Sequence, residues 1–147
     1  MKFDIKRWVP SVFIAFVFIQ SLFFKFSGSY ETQYIFGTLG VWSGFSWFGV
    51  YGAYLVGGGE LVASLLLLSK FWPIGALGSL GVMSGAIFFH LFTPLGIVMP
   101  QYNASGIKIG DDGGLLFSLA VITWSCALGL AALSYRRSVF PFAQKTV

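Results

Sequence analysis

The sequence predicts an all-α membrane protein: a bundle of four transmembrane helices, with an interfacial or re-entrant segment between the first and second spans. Three observations carry this. Hydrophobic residues make up 56% of the 147-residue chain and charged residues only 10%, with a mean hydropathy of +0.82, whereas a soluble domain carries about 25% charged residues. The charges sit at the ends of long apolar runs. They are also sorted: Lys2, Lys6, Arg7, Lys70, Arg136, Arg137 and Lys145 fall on one side of such a bundle, and Glu31, Lys108, Asp111 and Asp112 on the other, with Lys25 at that boundary. A bilayer produces this pattern because ionised groups are costly in hydrocarbon and basic loops stay in the cytoplasm.

A helix needs about 20 mainly apolar residues to cross the hydrocarbon core. The first span runs from about Trp8 to Phe26. It resembles a signal sequence, with Lys2, Lys6 and Arg7 ahead of it, but it is longer than an h-region and is read as uncleaved. The stretch Thr32–Ser69 is too short for two spans with a turn and too long for one. The second span is placed at about 48–69, and the aromatic segment Tyr34–Trp47 is left at the interface or dipping into the bundle. The alternative span, Ile35–Val56, would put Glu60 near the inner surface. The short turn Lys70-Phe71-Trp72-Pro73 leads into the third span, at about 72–93, where proline in the first turn loses no hydrogen bond. The fourth occupies about 113–135. Four crossings put both termini on one side, and seven basic residues against two assign that side to the cytoplasm of a plasma (inner) membrane.

Small residues are expected to mark the helix–helix seams. They are Gly49, Ala53, Gly57, Glu60 and Ser64 on the second span, and Gly81-x-x-x-Gly85 on the third. On the fourth they are Gly114, Ser118, Ser125, Gly129 and Ala132.

The composition also excludes some functions. The net charge of +4 flanks apolar spans and forms no continuous basic stripe, so nucleic acid is not an expected partner; the bilayer and a protein partner or second copy are. Cys126 stands alone, so no internal disulfide or paired-cysteine redox motif exists. One histidine and one cysteine do not make a metal set.

The polar residues that remain converge. Glu60 lies in an apolar run, where an acid must face protein or water, or be neutral. Lys25, His90 and the pair Asp111 and Asp112 come to the same ends of their helices, above Glu60, with Gln20 a weaker member. Glu31, Asp111 and Asp112 are the acidic partners expected for Lys25. An aspartate opening the fourth span also caps free backbone N–H groups. The arrangement suggests a polar cavity opening to the outer side. Glu60 and His90 are its catalytic candidates, and Lys25, Glu60, His90, Asp111 and Asp112 its ligand-binding ones.

Phe23-Phe24-Lys25-Phe26, Gly57-Gly58-Gly59-Glu60-Leu61 and Ser84-Gly85-Ala86-Ile87-Phe88-Phe89-His90-Leu91 keep their order across most of the chain. In these motifs the sequence resembles the DoxX-like (DoxX/DoxD) family of small four-helix membrane proteins. Some relatives are described as membrane subunits of thiosulfate:quinone oxidoreductase, others as membrane partners in redox or oxidative-stress complexes. The resemblance implies a subunit of a redox complex, catalytic or not, that binds a quinone or relays protons through Lys25, Glu60 and His90. The single cysteine departs from any thiol-redox version. Two other readings are a small proton-coupled carrier or channel for an anionic solute, and a non-enzymatic assembly module acting through Gly81-x-x-x-Gly85.

Overall fold

The computed structural model describes residues 4–139; Lys2 and Lys145 lie outside the described residues. Among the described residues the regular structure is helical apart from one hairpin. Its elements run α1 (Ile5–Phe26), α2 (Tyr30–Ser43), α3 (Ser46–Leu67), α4 (Trp72–Phe92), β1 (Pro100–Tyr102), β2 (Lys108–Asp111) and α5 (Leu115–Val139).

Helices α1, α3, α4 and α5 are each long and apolar enough to cross a membrane. At about 1.5 Å per residue, 22 residues reach about 33 Å, the thickness of a hydrocarbon core with slight tilt. Each places large apolar side chains outward: Ile5, Val9, Val12, Phe16, Ile19 and Phe23 form such a row along α1. In water this belt would be unstable; in lipid it is solvated. The chain is a multi-pass membrane protein.

The segment between the first two spans is a regular helix. Ser29 caps α2 by accepting the Thr32 N–H, and Gly44 ends it with φ +75°, a conformation that glycine adopts without steric cost. At 14 residues α2 is too short to cross a membrane. It folds back along α3, with Gly40 against Gly49 and the Phe36 ring against Gly52. Because the turn at Gly44 and Phe45 falls between Ile35 and Val56, a single span over those residues does not form.

Helices α1 and α3 run antiparallel. Arg7 donates to the Ser69 carbonyl at one end, and Leu22 and Phe26 pack on Gly57 towards the other. Helix α4 returns along α3, and α5 closes the bundle between α4 and α1. One end gathers Arg7, Trp72 and Arg137, with the Arg7 guanidinium 4.6 Å from the Trp8 ring centre and 5.5 Å from that of Trp72; Arg137 pairs with Asp4. The other end carries the β1–β2 hairpin, Glu31, His90, Asp111 and Asp112. Among the described residues, Arg7 and Arg137 with Asp4 thus lie at one end, and Glu31, Asp111 and Asp112 with Lys108 at the other.

The small-residue seams are only partly as expected. Ala53, Gly57, Glu60 and Ser64 are buried on α3. On α5, however, Ser118, Ser125, Gly129 and Ala132 face outward, and the buried face is Ala120, Thr123, Ala127 and Leu130. On α4 the tight contact is at Gly75, where an added Cβ would lie 2.6 Å from the Leu67 nitrogen. Gly81 and Gly85 meet nothing within 4 Å.

Candidate functional site

Glu60 points into the bundle and is 3% exposed. Both its side-chain oxygens are taken: Lys25 Nζ lies 2.9 Å from one and 3.1 Å from the other, and the Ser21 hydroxyl donates to the first at 2.7 Å. Lys25 also donates to the Ser21 oxygen at 3.0 Å. The acid is therefore not alone, and the partner of Lys25 is Glu60, not Glu31, Asp111 or Asp112. Ser21, which the sequence reading missed, completes the triad. Its signal is present in the chain, since residues four apart on a helix share a face and Ser21 lies one turn before Lys25.

A cavity of about 710 Å³ extends from this pair towards the hairpin end. Phe18, Met83 and Ala120 line it and also belong to the packed core that fills the bundle beyond, so they form its floor. Phe24, Phe36, Phe48 and Phe89 supply aromatic walls, and Leu95, Met99 and Pro100 the roof. Lys25, Glu31, Glu60, His90 and Asp112 are its ionisable lining groups. A separate shallow depression at Gly37, Thr38, Val41, Trp42 and Pro94 has no ionisable lining group.

His90 lies on the buried stripe of α4 with Ser79 and Met83 and is 8% exposed. Its Nδ1 sits 2.6 Å from the Gly96 carbonyl. A carbonyl only accepts, so Nδ1 carries a proton and donates it. Nε2 makes no hydrogen bond to any described residue. That nitrogen is the one polar atom of the ring left for a ligand. The Phe117 ring meets the imidazole edge-on at 5.6 Å.

Asp112 does structural work. One oxygen accepts from Met99 and Gly114, the other from Leu116. It thereby caps α5 and ties the roof segment to it. Burial pushes its carboxyl up, but the N–H donors of Leu116, Met99 and Gly114, aided by the charge of His90, prevail and hold it below the usual carboxylate range. The stability it contributes is therefore complete above that range and is lost as pH falls through its own lowered value. We expect the Met99 and Gly114 amides to lose hydrogen-exchange protection over that acidic interval. In Asp112→Ala, which removes the acceptor, the protection should be weak at every pH, with a loss of about 1–3 kcal/mol in thermal unfolding.

Asp111 does not belong to the cavity lining. It is an exposed residue of β2 whose side chain accepts from Gly113. Glu31 accepts from the Tyr102 N–H and fastens the hairpin to α2. Gln20 lies at the rim, exposed. The structure thus brings Lys25, Glu60, His90 and Asp112 to one cavity and leaves Asp111 outside it. Among the described residues no three His, Cys, Asp or Glu side chains cluster so as to hold a metal ion.

Fold and site together define a class: a four-span helical membrane protein enclosing an apolar cavity with an ion pair at its base. No family model, curated protein or solved structure matches the chain.

Proposed function

We propose that this chain is a membrane subunit that binds a quinone in the cavity between α1, α3, α4 and α5, within a redox complex. The observation that carries the reading is the pairing of a mainly apolar cavity with fixed polar groups at its base and side. A quinone presents a flat apolar ring with two carbonyl oxygens. The three N–H donors of Lys25 are held by Glu60 and Ser21, and one of them, turned from Ser21, would serve one carbonyl. His90 Nε2, when protonated, would serve the other, and Glu60 and His90 would exchange protons as the redox partner of the complex supplies or takes electrons. The aromatic walls suit the ring faces. The resemblance in the motifs around Lys25, Glu60 and His90 points the same way.

The carrier reading is less well supported. Glu60 offsets the charge of Lys25, so the pair offers an anion no net attraction, and the packed core below the cavity floor weighs against a channel. On the orientation read from the basic residues, both termini face the cytoplasm and the cavity lies towards the outer leaflet of the inner membrane.

The test is a titration of protein in nanodiscs with 2,3-dimethoxy-5-methyl-1,4-benzoquinone, followed by tryptophan fluorescence. Wild type should bind saturably. His90→Phe should bind about tenfold more weakly, the loss of one hydrogen bond of about 1.4 kcal/mol. Absence of saturable binding to wild type would refute the reading.

A further inference from the structure

The glycines along the α3–α4 seam are tightly packed at Gly75 and free of contact further along α4. A Cβ added at Gly75 would meet α3 backbone at 2.6 and 3.0 Å, one at Gly78 the Ala63 side chain at 3.8 Å, and one at Gly59 the Val82 side chain at 3.9 Å. At Gly81 and Gly85 there is nothing within 4 Å. The two helices are therefore in backbone contact near Leu67 and meet again where Phe48 packs on Phe89, with Gly81 and Gly85 left free between these contacts. Trp42 of α2, against Phe88, crosses the gap near the far end of α4. The cavity lining reaches this gap at Leu55, Gly59, Gly81 and Gly85, and Leu55, Gly59 and Gly81 are exposed on the outer surface of the bundle.

The gap thus joins the interior to the belt that faces acyl chains. It is bordered by three glycines, Leu55 and the Val82 side chain, so it has no polar side chain and little side-chain bulk. The lining also reaches the surface at Gln101 of the hairpin, beside the polar end of the bundle, and between α1 and α5, where Gln20, Phe24, Leu115 and Leu116 frame it. Those side chains occupy space and bring in an amide. An apolar chain passes more readily through the glycine gap. Inside, His90 Nε2, on a ring more than nine-tenths buried, awaits a polar partner.

We infer that the ligand enters sideways from the bilayer through the Gly59–Gly81–Gly85 window, and that its apolar tail stays in that window while its polar ring lies against Lys25, Glu60 and His90. This rests on the quinone reading and deepens it: the ligand is a prenylated, lipid-dissolved quinone, not a water-soluble ring.

Two probes separate this inference from the reading beneath it: the tailless benzoquinone named above and the same ring with a long polyprenyl tail. They are compared on wild type, on Gly81→Leu/Gly85→Leu and on Gly129→Leu, an outward position of α5 with equally free space. The plugged variant should bind the tailless ring as wild type does and the tailed quinone about tenfold more weakly or more slowly. Gly129→Leu should bind both as wild type does. Equal binding of the tailed quinone to plugged and wild-type protein overturns the window and leaves the quinone reading standing. Loss of the tailless ring in the plugged variant also overturns it, by making the glycines part of the ring site. No binding of either probe to wild type removes both. A diazirine at the tail end supplies a second readout. Cross-links should fall on 55–59 and 81–85; cross-links confined to Gln20, Leu115 and Leu116 would place the tail on the wrong side of the bundle.

Discussion

Lys25→Met is expected to destabilise the protein by about 3–5 kcal/mol, because it leaves the Glu60 carboxylate buried with only the Ser21 hydroxyl as partner. In detergent this is a drop of roughly 10 °C in the thermal midpoint. Glu60→Gln should cost less, since an amide still accepts from Lys25 and Ser21. Replacing both members, Lys25→Met/Glu60→Met, should recover most of the lost stability, because an apolar pair of similar size often serves as well as a buried ion pair. Quinone binding should weaken sharply in the two variants that remove Lys25, the carbonyl donor, and persist in Glu60→Gln, which keeps it. If the double replacement were as unstable as Lys25→Met, the pair would be holding the fold rather than the site.

The second large effect is expected at Gly75. Its position against Leu67 nitrogen, the Ala63 carbonyl oxygen and the Leu66 carbonyl carbon involves backbone only, so no side chain can move aside. Gly75→Ala should therefore destabilise by about 2–3 kcal/mol, as overpacking does, and Gly75→Leu should yield no monodisperse protein on extraction. Gly85→Ala should do the opposite. With nothing within 4 Å, alanine gains helix propensity of up to about 1 kcal/mol without a clash. Thermal midpoints of Gly75→Ala and Gly85→Ala measured side by side check both signs. A rule that ties close packing to the Gly81-x-x-x-Gly85 spacing predicts the reverse order.

That reversal shows where the sequence stops being informative. The four spans were legible because length, hydropathy and terminal charge are properties of the chain itself. The burial of Glu60 and His90 was legible for the same reason: an acid or an imidazole in an apolar run has nowhere favourable to face but inward. The identity of the partner of Lys25 was not. On antiparallel helices each side chain leans towards its own N-terminus, so Lys25 reaches down α1 while Glu60 reaches up α3. They meet although one is in the last turn of its helix and the other far along its own. Numbering the ends of helices does not show this.

Small residues misled for a different reason. Lipid is as apolar as a helix interior, so an outward face and a packed face can have the same composition. Ser118, Ser125 and Gly129 share spacing with the true contact face of α5 yet look outward. Asp111 and Asp112 are adjacent and of one type, and only the second reaches the cavity, because Asp112 is drawn to the free N–H groups of α5 and the roof segment. The hairpin Pro100–Asp111 has too few residues for its pattern to stand out between two long apolar runs.

The most direct measurement is native mass spectrometry of protein released from membranes in gentle detergent, comparing wild type with Lys25→Met/Glu60→Met. The account predicts that wild type carries one quinone per chain and that the double variant, still folded, carries none. A folded wild type without a bound quinone, or equal retention by both proteins, would contradict it.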